Sequence, residues 1–128
     1  MTAEQLKKRT KLFGLHVIRL VESLPQTQTC TVIGRQLLRC ATSVGANYRA
    51  ACRARSKADF IAKLGIAEEE ADESVYWLEM LVEATIVNPS RITKLLAEAN
   101  ELTAIMASSR ITPDFPNKSV QKSKNLIV

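Results

Sequence analysis

The sequence predicts an all-α protein, an antiparallel up-down-up-down four-helix bundle, on three observations. Apolar residues recur at three- and four-residue spacing through four successive segments. Caps and prolines separate these segments by short intervals, which favours antiparallel neighbours. The composition is 46% hydrophobic but only 5% aromatic, with four glycines. That mix suits aliphatic helix packing and argues against a β-sandwich, which needs more aromatic, β-branched and turn residues. The 128 residues suffice for one domain with a core of its own.

The first helix is expected at about residues 3–24, with Leu6, Thr10, Phe13, Val17, Leu20 and Leu24 forming its seam. Pro25 stops it, because the residue before a proline avoids α geometry, and residues 26–29 form a loop. A second helix runs from about 30 to 54 on Ile33, Leu37, Cys40, Val44 and Ala51, with Thr29 or Thr31 as its N-cap. Ser56 followed by Asp59 matches a capping box and opens a third helix, about 57–87. Its seam is Phe60, Leu64, Ala67, Ala71, Val75, Leu78 and Val82. Asn88-Pro89 starts a fourth helix, about 89–110, on Ile92, Leu95, Leu96, Ala99, Leu102, Ile105 and Met106. Residues 111–128, with Pro113, Pro116 and three lysines, read as a flexible basic tail.

Charge is unevenly divided. Residues 26–58 hold no acid, yet Arg35, Arg39, Arg49, Arg53, Arg55 and Lys57 all fall there. Residues 59–83 hold eight acids against one base, Lys63. The net charge of +5 is modest, but this segregation strengthens the local field and suits a polyanion or self-assembly. No run approaches the ~20 apolar residues of a membrane-spanning helix, and the charged N-terminus lacks the apolar stretch of a signal peptide. Cys30, Cys40 and Cys52 are odd in number and show no C-x-x-C spacing. Cys40 and Cys52 would lie about 18 Å apart on one helix and cannot bridge within the chain. A reduced, cytoplasmic protein without a membrane role is expected.

At about 100° per residue, Arg35, Arg39, Arg49 and Arg53 fall opposite the second seam, within about 40° of a common line and over about 27 Å. Gln36, Ser43 and Asn47 form a polar stripe between core and strip. On the third helix Ile66, Trp77, Met80 and Ala84 gather on a flank roughly 100° or more from the seam. On the first, Leu12, Leu15, Ile18 and Val21 lie off the seam. A lone bundle cannot cover all of these, so a homo-oligomer is expected. Gly34 and Gly45 each cost about 1 kcal/mol relative to alanine within a helix, and their use is a close approach by another helix.

Catalytic patterns are absent. His16 is the single histidine and has no partner at ligand or general-base spacing. Glu68, Glu69 and Glu70 lack the Glu-x-x-His companions of a carboxylate metal site, and there is no phosphate-binding glycine loop. The expectation is a non-enzyme with no cofactor and no metal.

The stretch Gln36-Leu-Leu-Arg-Cys-Ala-Thr-Ser-Val-Gly-Ala-Asn-Tyr48, with Ala58-Asp-Phe60, Gly65-Ile-Ala67 and Tyr76-Trp-Leu-Glu79 after it, resembles the four-helix bundle proteins encoded in intervening sequences of large-subunit ribosomal RNA. The resemblance runs from about Arg9 to Ile111. That family is similar in fold to Avd, the accessory protein of diversity-generating retroelements, which forms a pentamer and binds nucleic acid and a reverse transcriptase. The resemblance implies a four-helix bundle, homopentamerisation and nucleic-acid binding without catalysis. By position it picks out Arg39, Ser43, Asn47 and Glu73 as structural polar residues. One departure is Ala50, where the family commonly carries an acid, which leaves Arg49 and Arg53 less neutralised.

The functional expectation is an oligomeric module binding RNA or DNA through Arg35, Arg39, Arg49 and Arg53 together with Lys7, Lys8 and Lys11. Ile66, Trp77, Met80, Leu15 and Ile18 are the expected oligomer contacts. The alternative is a protein-interaction scaffold or accessory subunit, such as a reverse-transcriptase partner, whose arginine strip meets the acidic face of a neighbour.

Overall fold

A computed structural model describes residues 1–115 as four helices: α1 (Ala3–Glu22), α2 (Gln28–Cys52), α3 (Lys57–Glu83) and α4 (Pro89–Ile111). Each begins where a side chain satisfies orphaned backbone donors. Thr2 and Gln5 form a reciprocal capping box on α1. Thr27, Ser56 and Asn88 accept from the backbone N–H of Cys30, Asp59 and Ser90, at 3.1, 3.1 and 3.0 Å.

The short connections fold the helices back on one another. α2 packs against α1 and α3, and α3 against α2 and α4, while α1 and α4 meet more sparingly. Two polar ties close that last seam: Arg9 reaches Glu98 at 2.7 Å and Glu101 at 2.8 Å, and Arg91 donates to Ser23 at 2.7 Å. Among the described residues α1 does not pack on α3, nor α2 on α4, so these pairs are diagonal. The bundle predicted from sequence is the bundle observed.

Phe13, Leu37, Val44, Leu64, Leu78 and Leu102 are buried together in its centre. Each such side chain removed from water stabilises by about 1.5–3 kcal/mol. Ser74 is also fully buried, and its hydroxyl donates to the Glu70 carbonyl at 2.8 Å and lies 3.3 Å from the Cys40 sulfur. No buried side-chain polar atom among the described residues lacks a partner. Gly34 and Gly45 both face α1: a Cβ at Gly34 would lie 3.0 Å from a Val21 methyl, and one at Gly45 would lie 3.3 Å from the Thr10 hydroxyl.

Several boundaries depart from the sequence reading. The N-cap of α2 is Thr27, not Thr29 or Thr31, because the Thr31 amide already bonds the Thr27 carbonyl at 2.9 Å. α2 ends at Cys52, where Arg53 and Ala54 tighten into i→i+3 bonds before Ser56 caps α3. α3 stops at Glu83, four residues early. Thr85 adopts φ 58°, and the amides of Thr85 and Ile86 bond the carbonyls of Val82 and Leu81 in a Schellman turn. Ile86 and Val87 continue the apolar pattern but tuck back onto the core from the loop. At the same end Leu81 is fully buried while Val82 is half-buried, so the seam passes through Leu81. The expected tail starts too early as well: Ile111 is helical, and Phe115 stacks on Phe60 with ring centroids 5.4 Å apart. The rest of that tail, 116–128, lies outside the described residues.

Candidate functional site

The expected arginine strip divides in three. Arg39 leans toward α3, where its guanidinium pairs with Glu70 at 3.3 Å and with Glu73. Arg35 stands at the opposite end of the α1/α2 side, beside Val21, Glu22 and Leu38. Arg49 and Arg53 lean the other way, toward α1. The helical projection contains the reason: Arg39 and Arg49 sit on opposite edges of the strip, about 80° apart, and each edge meets a different neighbour.

Arg49 and Arg53 join Lys7, Lys8 and Lys11 around a groove of about 520 Å³ between α1 and α2. Its floor is made of small side chains, Gly14, Thr42, Gly45 and Ala46, and its far end is apolar, Leu15 and Ile18. Such a furrow exists because the helices approach closely where Gly45 meets Thr10, so no bulky residue fills the space above them. Lys7 pairs with Glu4 at 3.1 Å. The other four cations make no ion pair among the described residues. Five positive groups around one concave apolar-floored surface form a field that attracts an extended anion.

The α2/α3 side has a different character. The Trp77 indole donates to Glu73 at 3.1 Å, and Arg39 pairs with the same carboxylate oxygen. Glu73 is held below its ordinary pKa, first by the indole and then by Arg39, against the opposing effect of burial. Ser43 and Asn47 bond back to carbonyls of their own helix, at Arg39 and Ser43. The polar quartet suggested by resemblance therefore contains one cross-helix pair, Arg39–Glu73, and two residues that serve α2 itself.

The expected oligomer contacts fall on two separate faces. Leu15 and Ile18 belong to the basic groove, whereas Ile66, Trp77 and Met80 are on α3, diagonal to α1. Ile66 and Met80 are exposed, but Trp77 is half-buried against the core. Its neighbour Tyr76, which packs edge-on against it at 5.0 Å, is the exposed aromatic, with 52% of its surface open. Sequence reasoning grouped the α1 lysines with all four arginines of α2, whereas the structure sets only Arg49 and Arg53 beside them. The available signal for the groove was Gly14 and Gly45, one on each helix at the crossing.

His16 is exposed, and no group of three metal-ligating side chains occurs among the described residues. Cys30, Cys40 and Cys52 are free thiols, and burial pushes the latter two up in pKa. No helix among the described residues is long and apolar enough to cross a membrane.

No curated protein matches the chain. Among solved structures, one is a 1.70 Å crystal structure of a protein with unknown function from the S23 ribosomal protein family of Bacteroides thetaiotaomicron. It is 34% identical, covers 84% of this chain and 96% of its own, and superposes with a TM-score of 0.78. The family profile described as 23S rRNA-intervening sequence protein matches residues 4–108. The motifs along α2 and α3, the four-helix architecture and this match agree, and the chain belongs to the 23S rRNA-intervening sequence protein family.

Proposed function

We propose that this protein is a non-catalytic nucleic-acid-binding module that engages a phosphate backbone through the α1/α2 groove and acts as a homo-oligomer. One observation carries the reading: Lys8, Lys11, Arg49 and Arg53 converge on a groove with no carboxylate partner among the described residues. Four contacts to phosphate release condensed counterions and bind with little sequence preference. Self-association is supported by the exposed apolar side chains of Leu12, Leu15, Ile66, Tyr76 and Met80.

The test is fluorescence anisotropy with labelled RNA and DNA, single- and double-stranded, across a salt series. Four phosphate contacts on duplex DNA give a log–log salt slope of about −3 to −4 per engaged protomer. Arg49→Glu with Arg53→Glu abolishes binding while helicity by circular dichroism is unchanged. Arg39→Gln leaves the slope nearly as it is, because that guanidinium is already engaged by Glu70 and Glu73. A double variant that binds as tightly as wild type at low salt overturns the reading.

A further inference from the structure

Positive charge on this bundle is divided along its axis as well as between its faces. In the up-down-up-down arrangement α1 and α3 start where α2 and α4 end, and the stacking of Phe115 on Phe60 joins the last two helices at that end. The basic half of the groove lies toward it, because Lys7 and Lys8 stand in the first turns of α1 and Arg53 caps the end of α2. Past Arg53 the chain turns into α3 through Arg55, Ser56 and Lys57, all of them exposed. Neither Arg55 nor Lys57 has an ion pair among the described residues. The acids at this end are Glu4, which pairs with Lys7, and the exposed Asp59 and Asp114. The opposite end is mixed: Arg19, Arg35, Arg91 and Lys94 stand among Glu22, Glu79 and Glu83. Arg49 and Arg53 lie at the C-terminal end of α2, where the helix dipole favours cations. Lys57 is the first residue of α3, behind the Ser56 cap, and there the dipole opposes a cation. Folding accounts for the two arginines and works against the lysine.

We infer that the phosphate-binding surface continues from the groove over the bundle end through Arg55 and Lys57, and that this continuation selects single-stranded nucleic acid. The inference rests on the nucleic-acid reading above and adds to it two contacts and a choice of ligand. A backbone that meets Lys8, Lys11, Arg49 and Arg53 runs along the side of the bundle. To meet Arg55 and Lys57 as well, it must turn onto the end. Duplex DNA, with a persistence length of about 50 nm, resists a turn over the width of one helix. A single strand follows a charged path whose direction changes. The groove lining holds no aromatic ring, so bases find no stacking platform there and the contact is to the backbone. Selection therefore falls on strandedness and not on base sequence. A duplex engages the four groove cations alone, and a single strand engages all six.

The experiment is fluorescence anisotropy on the full chain with two fluorescein-labelled probes of equal length, oligo-dT and a DNA duplex, each across a salt series. Wild type is expected to prefer oligo-dT, with a log–log slope of about −4 per engaged protomer, against about −3 to −4 on the duplex. Arg55→Gln with Lys57→Gln is expected to lose the preference, to bring the oligo-dT slope to about −3 and to leave the duplex slope where it was. Arg55→Lys with Lys57→Arg keeps both slopes, because the charge is retained. The glutamine variant keeps its helicity and a Tm at or above that of wild type, since it removes a cation that the α3 dipole opposes. A lower Tm would give these side chains a structural role and overturn the inference. So would a wild type that binds duplex as tightly as oligo-dT, an oligo-dT slope unchanged in the glutamine variant, or a duplex slope that falls with it. These outcomes leave the groove reading standing. Failure of wild type to bind either probe overturns that reading, and the inference with it.

Discussion

Arg39 and Glu73, 34 residues apart in the chain, close the α2/α3 face by sharing one carboxylate oxygen with the Trp77 indole, which donates to it at 3.1 Å. The pair removes Arg39 from the cations available to a ligand and fixes Trp77 against the core. It is also expected to link the fold to pH on the acid side. The depressed pKa of Glu73 arises first from the indole and then from Arg39. A carboxylate whose folded pKa lies below its unfolded value contributes stability that is complete above the unfolded value and lost as pH falls through the folded one. Its ordinary value is 4.5, so the loss belongs to the acid limb below that pH. Glu73→Gln is expected to flatten the fall in Tm on acidification below that pH, with a small amplitude because solvent screens the pair. Parallel Tm curves for the two proteins would show that the cluster is not linked to folding.

At the end of α3 the seam runs through Leu81. Leu81→Ala is expected to cost about 2–5 kcal/mol in urea unfolding, as for other fully buried leucines. Val82→Ala, at a half-buried position, should cost less than half as much. Equal costs would place both residues in the core.

Thr85 occupies the left-handed position that follows α3, with φ 58°. A β-branched residue is strained there, and glycine is the usual occupant. Thr85→Gly should stabilise the protein by about 1 kcal/mol, the strain removed exceeding the entropy that glycine adds to the unfolded chain. A lower Tm would mean that the turn selects threonine for another contact.

Two glycines should respond oppositely to alanine. At Gly65 a Cβ meets the Arg110 side chain at an ordinary 3.5 Å, so Gly65→Ala gains about 0.5–1 kcal/mol of helix propensity. At Gly34 it meets a Val21 methyl at 3.0 Å. The stiff valine resists displacement, and overpacking of about 1–3 kcal/mol outweighs the propensity gain. Denaturant midpoints of the two variants check the contrast, and a stabilised Gly34→Ala would show that α1 yields at this crossing.

Periodicity and capping made the bundle legible because both are local. Leu6 through Leu20 repeat on one helix face whatever lies opposite them, and Ser56 caps α3 through a bond three residues long. The errors occur where local signals are degenerate. Thr27, Thr29 and Thr31 are chemically equivalent caps, and only the entry of the chain from Pro25 selects the first. Ile86 and Val87 extend the apolar pattern of α3, yet the Schellman turn at Thr85 takes them out of it. Nothing before the turn announces it, since no glycine stands there.

The sequence by itself determined the number of helices, the residues that line their seams and the separation of positive charge on α2 from negative charge on α3. These follow from spacing along a single helix, and a helix of known pitch turns spacing into direction. Which cations act together was decided only by tertiary structure. Arg39 and Arg49 differ by about 80° around α2, a difference without consequence until α3 takes one edge of the helix and α1 the other. Glu73 then neutralises Arg39, while the close crossing at Gly45 places Arg49 and Arg53 beside Lys7, Lys8 and Lys11. Charge on one helix is a local property, but whether that charge is consumed or displayed depends on the neighbour that packing brings to it.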